Sequence, residues 1–158
     1  MSNLAYAILL SLLPIAELRG GLPYAYLTGS PIWLAYVVCV GANFFVGPIV
    51  FIFFETAHKL LIKWSLYNRI FDVFIKRVRR KTTHLIEKYG FWGITLFVAI
   101  PLPVTGAYTG TAAAWLFGLD RKKSLLAVLV GVCISGLIVA SVVYFGIEGL
   151  EFLYKRVE

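Results

Sequence analysis

The sequence predicts an all-α integral membrane protein with two re-entrant helical hairpins, two full transmembrane helices and a basic amphipathic linker helix. The composition favours this class, because hydrophobic residues make up 60% of the 158 residues, charged residues make up 15%, and mean hydropathy is +0.85. Two uncharged stretches are long enough to cross a bilayer, and two shorter apolar stretches run into proline and glycine. We expect a single membrane domain over residues 1–158.

The first half, residues 1–54, is predicted to be a hairpin followed by a span. The apolar run at residues 4–13 covers only about half of a membrane, and it continues into PIAELRGGLP and then YAYLTG. Half-helix, broken backbone and half-helix are typical of a hairpin that enters and leaves on one side. No basic residue precedes the run and no cleavage site follows it, so we expect no removable signal peptide. Residues 32–54 are uncharged and predict the first span.

The middle segment, residues 55–90, is strongly basic. It carries nine Lys or Arg against Glu55, Asp72 and Glu87, which predicts a cytosolic location. Its apolar residues recur at the spacing of one helical face: Leu60, Trp64, Tyr67, Phe71, Phe74, Val78, Leu85 and Tyr89. The segment is either an interfacial helix that binds anionic lipid or a specific recognition site for a headgroup or partner. We expect His58 and His84 to be surface residues.

The second half, residues 91–158, repeats the order of the first. The short run FWGITLFVAI leads into PLPVTGAYTG and TAAAWLFG, and residues 124–147 form a second uncharged span. VCVGA at 38–42 resembles VCISG at 132–136, and Pro14 and Pro101 occupy equivalent breaks. With the middle segment cytosolic, the hairpins dip from opposite faces, so the halves form an inverted repeat. This architecture is typical of secondary transporters.

The first break contains charged residues, Glu17 and Arg19, at membrane depth. Irregular backbone survives there only when it is buried in protein or faces a cavity, so we expect the two hairpin tips to meet in a cavity. The two charges either pair structurally or belong to a transport pathway, and an ionisable residue in the membrane is functional by default. Residues two apart on a helix do not face each other, so direct pairing needs the irregular backbone that Gly20, Gly21 and the prolines allow.

The second break contains hydroxyls and glycines, which suit an anionic group near a helix start. Thr105, Thr109 and Thr111 with the amides of Gly106 and Gly110 form this group, and packing and capping are the alternative role. Asn43, in the middle of a span, is either an interhelical hydrogen-bonding residue or a pathway ligand. The whole predicted substrate and proton site is Pro14, Glu17, Arg19, Gly20, Gly21, Asn43, Pro101, Pro103, Thr105, Gly106, Thr109 and Gly110.

PIAELRGGLP and PLPVTGAYTG together resemble the paired signatures of the small multidrug export proteins, within the wider DedA (VTT-domain) superfamily. The resemblance covers nearly the whole chain in order and length. It implies two re-entrant hairpins in inverted repeats and roles in moving polyprenyl-phosphate or phospholipid across the bilayer, often linked to the proton gradient. Glu17 matches the acidic residue of the first hairpin.

The second hairpin departs from the superfamily pattern. Phe97 and Pro101 match an F-x-x-x-P motif that usually has arginines around the proline, and this chain has Ala99, Val104 and Thr105 there instead. The same phosphate chemistry would therefore need Arg19 of the opposite hairpin.

These observations favour a transporter of an anionic lipid-like substrate. An exporter of cationic amphipathic drugs and a non-transporting insertion or structural factor are the alternatives. No HExxH, GxSxG, phosphate-loop or acidic-cluster motif is present, so we expect no enzyme, no cofactor and no metal. Cys39 and Cys133 have no His or Cys at metal-ligand spacing.

The expected partners are membrane lipids, a small amphipathic or lipid-phosphate substrate and a second copy of the chain. The net charge of +7 is attributed to the cytosolic side and anionic lipid, so nucleic acid is not expected. A chain of this length is too small to enclose a wide pathway alone, which predicts a homodimer. Gly131, Ser135 and Gly136 offer a packing face for a second copy or for another helix of the same chain. We expect a multi-pass protein of the plasma membrane.

Overall fold

The computed structural model describes residues 3–102 and 105–157, and all of the regular secondary structure in these ranges is α-helix, as predicted. The helices are α1 (Asn3–Leu12), α2 (Glu17–Leu27), α3 (Ile32–Glu55), α4 (Ala57–Leu61), α5 (Ser65–Tyr89), α6 (Phe91–Ala99), α7 (Ala107–Leu116) and α8 (Arg121–Val157). Within the described ranges, α3 and residues Arg121–Ile147 of α8 are long and apolar enough to cross a membrane. They coincide with the two predicted spans.

The chain divides into two compact units. The first contains Met1–Asn43 and Cys133–Glu158, and the second contains Phe44–Val132. Both α3 and α8 contribute residues to each unit. The inverted relation between the halves of the sequence stays a prediction.

In the first unit, α1 and α2 form an antiparallel helical hairpin. At its open end Asn3 Nδ2 donates a hydrogen bond to the Thr28 carbonyl over 3.2 Å. The helices approach closely because Gly21 lies directly against Ala7 and Ser11, and a β-carbon at Gly21 would lie 2.5 Å from the Ala7 carbonyl oxygen. The predicted hairpin is therefore present as a pair of packed short helices, and its entry into a membrane from one side stays a prediction.

The helix α2 continues through Pro23. The sequence predicts a broken backbone over the whole of PIAELRGGLP, which ends at this proline, and that prediction is wrong at this position. A proline removes one backbone donor from a helix, and α2 tolerates that loss. The chain breaks only once in this region, between Leu12 and Glu17.

The small residues of α8 pack against other helices of the same chain. In the first unit, Tyr36 Oη donates to the Cys133 carbonyl over 3.1 Å, and a β-carbon at Gly136 would lie 2.8 Å from the Tyr36 ring. In the second unit, a β-carbon at Gly131 would lie 2.7 Å from Val98 Cβ. Of the two roles predicted for these glycines, the structure favours contact with other helices of the same chain.

In the second unit, α6 and α7 form another hairpin, which packs on α5. The turn from α5 to α6 passes through Gly90 at φ +51°, a conformation that glycine adopts without a steric penalty. Gly93 then lies against the backbone of Leu85 and Ile86, and Gly110 lies against Val98. The middle of α7, Thr109–Ala114, is buried.

The middle segment is two helices rather than one, because the chain turns between α4 and α5. Tyr67, Phe71, Phe74, Val78 and Leu85 lie on the side of α5 that is buried or half-buried. The predicted single face is wrong at its start, where it included Leu60 and Trp64. Leu60 and Trp64 precede α5 and do not share its helical register.

Candidate functional site

The turn between α1 and α2 has an exposed apolar tip beside a buried charge. Pro14 lies in this turn, and Ile15 is fully exposed, whereas the Glu17 side chain is only 7% exposed. A turn in water would show the opposite arrangement, because charged side chains lose hydration when they are buried. The tip is therefore suited to hydrocarbon or protein surroundings, and it holds a carboxylate inside the unit.

Glu17 has an unusual backbone conformation. Its φ is +49°, and it is the one non-glycine residue with positive φ among the residues described. A side chain other than glycine in this region costs about 1–3 kcal/mol, and such strain clusters at functional sites. The fold thus holds a buried carboxylate on a strained backbone at the point where the helix is broken.

Arg19 supplies the opposite charge. It lies close enough to Glu17 for the two charges to attract each other. Its side chain is only partly buried, whereas that of Glu17 is buried. A ligand that approaches this tip therefore meets the guanidinium more readily than the carboxylate.

Gly20 and Gly21 have a different role from the one predicted. The sequence predicts that they provide the irregular backbone of the break, but both lie within α2 and neither has a positive φ. The irregular residue is Glu17 itself. Gly21 serves the close approach of α1, and a β-carbon at Gly20 would lie 2.8 Å from Ala16 Cβ.

Asn43 is a completely buried amide of the same unit. Neither its Nδ2 nor its Oδ1 has a hydrogen-bond partner among the described residues. The described residues therefore show no interhelical hydrogen bond from Asn43, and its role as a ligand stays a prediction. A buried polar atom without a partner costs about 1–3 kcal/mol, so such a residue calls for an explanation.

The position of Asn43 along α3 follows from its neighbours. Ser11 near the end of α1 lies beside Cys39, and Asn3 at the start of α1 bonds to Thr28 just before α3. The helices α1 and α3 therefore run in the same direction. Asn43 follows Cys39 by one turn on the same buried face, which places it at the level of the break that contains Pro14.

The second break, in the other unit, is organised by Thr105. The Thr105 hydroxyl lies 2.7 Å from the Ile100 carbonyl and 2.8 Å from the Leu102 carbonyl, and it accepts the Leu102 N–H over 3.2 Å. The hydroxyl thus ties the turn together, which favours the structural role over a ligand role. Pro101 lies in this turn, and Pro103 lies outside the described residues.

Thr109 and Gly110 of this break form local hydrogen bonds, whereas the Thr111 hydroxyl does not. Thr109 Oγ1 donates to the Gly106 carbonyl over 3.4 Å, and the Gly110 N–H donates to the same carbonyl over 2.8 Å. The prediction that the Gly110 amide binds an anion is therefore wrong. Thr111 Oγ1 is buried without a hydrogen-bond partner in the described part of the chain.

The sequence analysis missed a buried histidine in the second unit. His58 was predicted to be a surface residue, but it is 6% exposed, and aromatic rings surround it. Its ring centroid lies 4.2 Å from that of Phe71 and 5.4 Å from that of Trp115, and Nδ1 lies 2.9 Å from Tyr67 Oη. Trp115 comes from α7, so no local pattern around residue 58 could reveal the contact. His84 is exposed, as predicted.

We expect the stability of this cluster to depend on pH. Burial lowers the pKa of His58 below its ordinary value, so the unfolded chain takes up a proton at a pH where the folded chain does not. Stability is then complete above about pH 6.5 and falls as the pH drops below it. In thermal unfolding between pH 7.5 and 5.5, His58→Gln should lose much of this fall, and His84→Gln should keep it. Equal pH dependence in the wild type and His58→Gln would contradict the assignment.

A comparison with protein families identifies the relatives of this chain. The family model described as "Putative small multi-drug export protein" matches residues 17–138. The match begins at Glu17, directly after the first break, and includes Arg19, Asn43, the aromatic residues around His58 and the second break. Comparisons with curated proteins and with solved structures find no match.

Proposed function

We propose, from the premise that the chain belongs to the small multidrug export family, that it is a membrane transporter whose first hairpin tip carries the substrate and proton site. The observation that carries this proposal is Glu17, a buried carboxylate on a strained backbone next to Arg19. A charged pair inside a membrane protein marks a substrate or proton pathway by default. Asn43 adds an amide with unused donor and acceptor capacity at the same level of the unit.

The proposed substrate is anionic and lipid-like, such as a polyprenyl-phosphate or a phospholipid. Arg19 is the more accessible charge of the pair, and a charge-assisted hydrogen bond to a phosphate contributes about 1.5–3 kcal/mol, about ten- to a hundredfold in affinity. The apolar tip at Ile15 would let lipid tails remain in hydrocarbon. This substrate class agrees with the proposed place of the family in the DedA superfamily.

Further features of the proposal follow from charge and size. The basic middle segment would lie on the cytosolic side of the plasma membrane. A homodimer would enclose a transport pathway that one short chain is too small to enclose alone. We propose that a proton taken up at Glu17 drives transport.

Transport by charge variants tests the site. In proteoliposomes with an imposed pH gradient, Glu17→Gln should abolish the dependence of transport on the gradient, because an amide cannot bind and release a proton. Arg19→Gln should weaken uptake of an anionic substrate by about ten- to a hundredfold. Glu55→Gln is the matched control: Glu55 is exposed, and it forms an ion pair with Arg121 over 3.1 Å within the second unit. Normal transport by both Glu17→Gln and Arg19→Gln would mean that the tip is structural.

A cationic drug is the second candidate substrate, because the family description names multidrug export. A cation would bind the Glu17 carboxylate, and the nearby Arg19 would oppose it. The expected outcome is stabilisation of purified protein by polyprenyl phosphate or anionic phospholipid, measured by thermal shift, and little stabilisation by ethidium-like cations. Stabilisation by the cations that is lost in Glu17→Gln and kept in Arg19→Gln would establish drug export instead.

A further inference from the structure

The outer side of α5 carries an exposed apolar strip, formed by Leu66, Ile70 and Val73. These side chains are 70%, 62% and 58% exposed, and their spacing of four and three residues places them on one line along the helix. The opposite side of α5 packs on α6 and α7, where Val78, Thr82 and Ile86 are buried. The strip is therefore separate from the packed face of the helix.

Two further exposed apolar side chains lie before the N-terminus of α5, outside its helical register. Leu60 is 71% exposed and Trp64 is 70% exposed. Tryptophan is the residue most typical of the boundary between headgroups and acyl chains. Towards the C-terminus of α5 the strip ends after Val73, because Arg77 and His84 occupy the next positions along the same line.

Positive charges lie next to the strip. At 3.6 residues per turn, Arg69, Lys76 and Arg80 fall about a fifth of a turn away from it on the side opposite the packed face. The helix carries seven Lys or Arg against Asp72 and Glu87. The exposed surface thus combines the apolar strip with long cationic side chains that can extend to lipid headgroups.

We propose that the strip Leu66–Ile70–Val73, with Trp64, inserts into the headgroup boundary of an anionic phospholipid surface, and that Arg69, Lys76 and Arg80 bind its phosphates. The helix then lies in the plane of the interface with the apolar strip turned into the bilayer. A second copy is the less suitable occupant. A two-fold interface through this strip would bring two equally basic helices together, and their charges repel. The inference does not depend on the proposed transport.

Depth measurements along α5 test the proposal. Cys39 is completely buried and Cys133 is partly buried, so single cysteines are introduced in a Cys133→Ala background and labelled with a nitroxide. The label replaces Leu66, Ile70 or Val73 on the strip, and Asn68 or Asp72 away from it. The full-length protein is placed in nanodiscs of phosphatidylcholine, with or without phosphatidylglycerol.

The expected result is a helical pattern of collision rates. Labels on the strip should collide with oxygen, which concentrates in hydrocarbon, and labels at Asn68 and Asp72 should collide with a water-soluble nickel chelate. The difference should grow when phosphatidylglycerol is present. Equal depth at all five positions, protection of the strip from both reagents, or the same depth without phosphatidylglycerol would overturn the proposal.

Two arginine variants separate the role of the flanking cations from that of total charge. Arg69→Gln and Arg79→Gln each remove one exposed cation from α5, but only Arg69 flanks the strip. With the label at Ile70, Arg69→Gln should raise the phosphatidylglycerol fraction that produces half of the depth change, by up to about fivefold. Arg79→Gln should leave that fraction nearly unchanged. Equal effects of the two variants would mean that the cations act only through the total charge of α5. That result would overturn the phosphate-binding role assigned to the flanking cations.

Discussion

Gly21→Ala should destabilise the first hairpin and with it the folded protein. The added methyl group would overlap the Ser11 hydroxyl and lie 2.5 Å from the Ala7 carbonyl oxygen. The Ser11 side chain could rotate away, but the carbonyl belongs to the backbone of α1 and cannot move without separating the helices. Overpacking of this kind costs about 1–3 kcal/mol, and each kcal/mol lowers the Tm of a chain of this size by about 2–4 °C.

Gly41→Ala is the matched control for this variant. Gly41 also lies inside a helix, and a β-carbon there would meet no atom within 4 Å. We expect Gly41→Ala to be neutral or stabilising, since alanine favours a helix by about 1 kcal/mol over glycine. Ser11→Gly should not rescue Gly21→Ala, because the Ala7 carbonyl remains. A Gly21→Ala protein as stable as the wild type in thermal unfolding would show that α1 and α2 do not approach so closely.

Asn43→Leu should raise the stability of the protein and reduce its transport. The Asn43 amide is completely buried, and neither of its polar atoms has a hydrogen bond among the described residues. Leucine has the same branched shape and the same number of side-chain heavy atoms, and it removes the cost of desolvating these polar atoms, about 1–3 kcal/mol for each. The same change removes the donor and acceptor that we assign to the substrate. Thermal unfolding and proteoliposome transport, measured on the same preparation, check the two effects.

Asn68→Leu provides the comparison, since Asn68 is an exposed asparagine of α5 and is expected to change stability little. If Asn43→Leu lowered the Tm, the amide would have a structural partner, and the ligand role would be wrong. If the Tm rose while transport stayed normal, Asn43 would be buried without serving the substrate. The opposite signs of the two expected effects distinguish this prediction from a general loss of folding.

The long spans and the helix breaks could be predicted because they depend on local sequence. Uncharged stretches give α3 and the apolar part of α8, and the proline at position 14 lies in the observed break. The left-handed backbone of Glu17 could not be predicted in this way, because glutamate has no preference for it. The fold imposes that conformation, so it is visible only in the structure.

Glycines and buried polar residues show a second limit of sequence reasoning. Glycine provides either backbone freedom or close packing, and the sequence pattern of Gly20 and Gly21 is the same in both cases. Only the position of Ser11 and Ala7 identifies packing as the role of Gly21. His58 was misassigned for a related reason, since Trp115, which covers it, lies more than fifty positions away in the sequence.

The lengths of the two candidate spans have a consequence for the choice of bilayer. The uncharged stretches of α3 and α8, residues 32–54 and 124–147, extend about 35 Å and about 36 Å at 1.5 Å per residue. A typical hydrocarbon core is about 30 Å thick, so helices of this length are accommodated by tilting or by local thickening of the bilayer. Shorter acyl chains increase this mismatch and longer chains relieve it. Transport rates of different variants are therefore comparable only at one acyl-chain length, and bilayer thickness is itself a variable that acts on this protein.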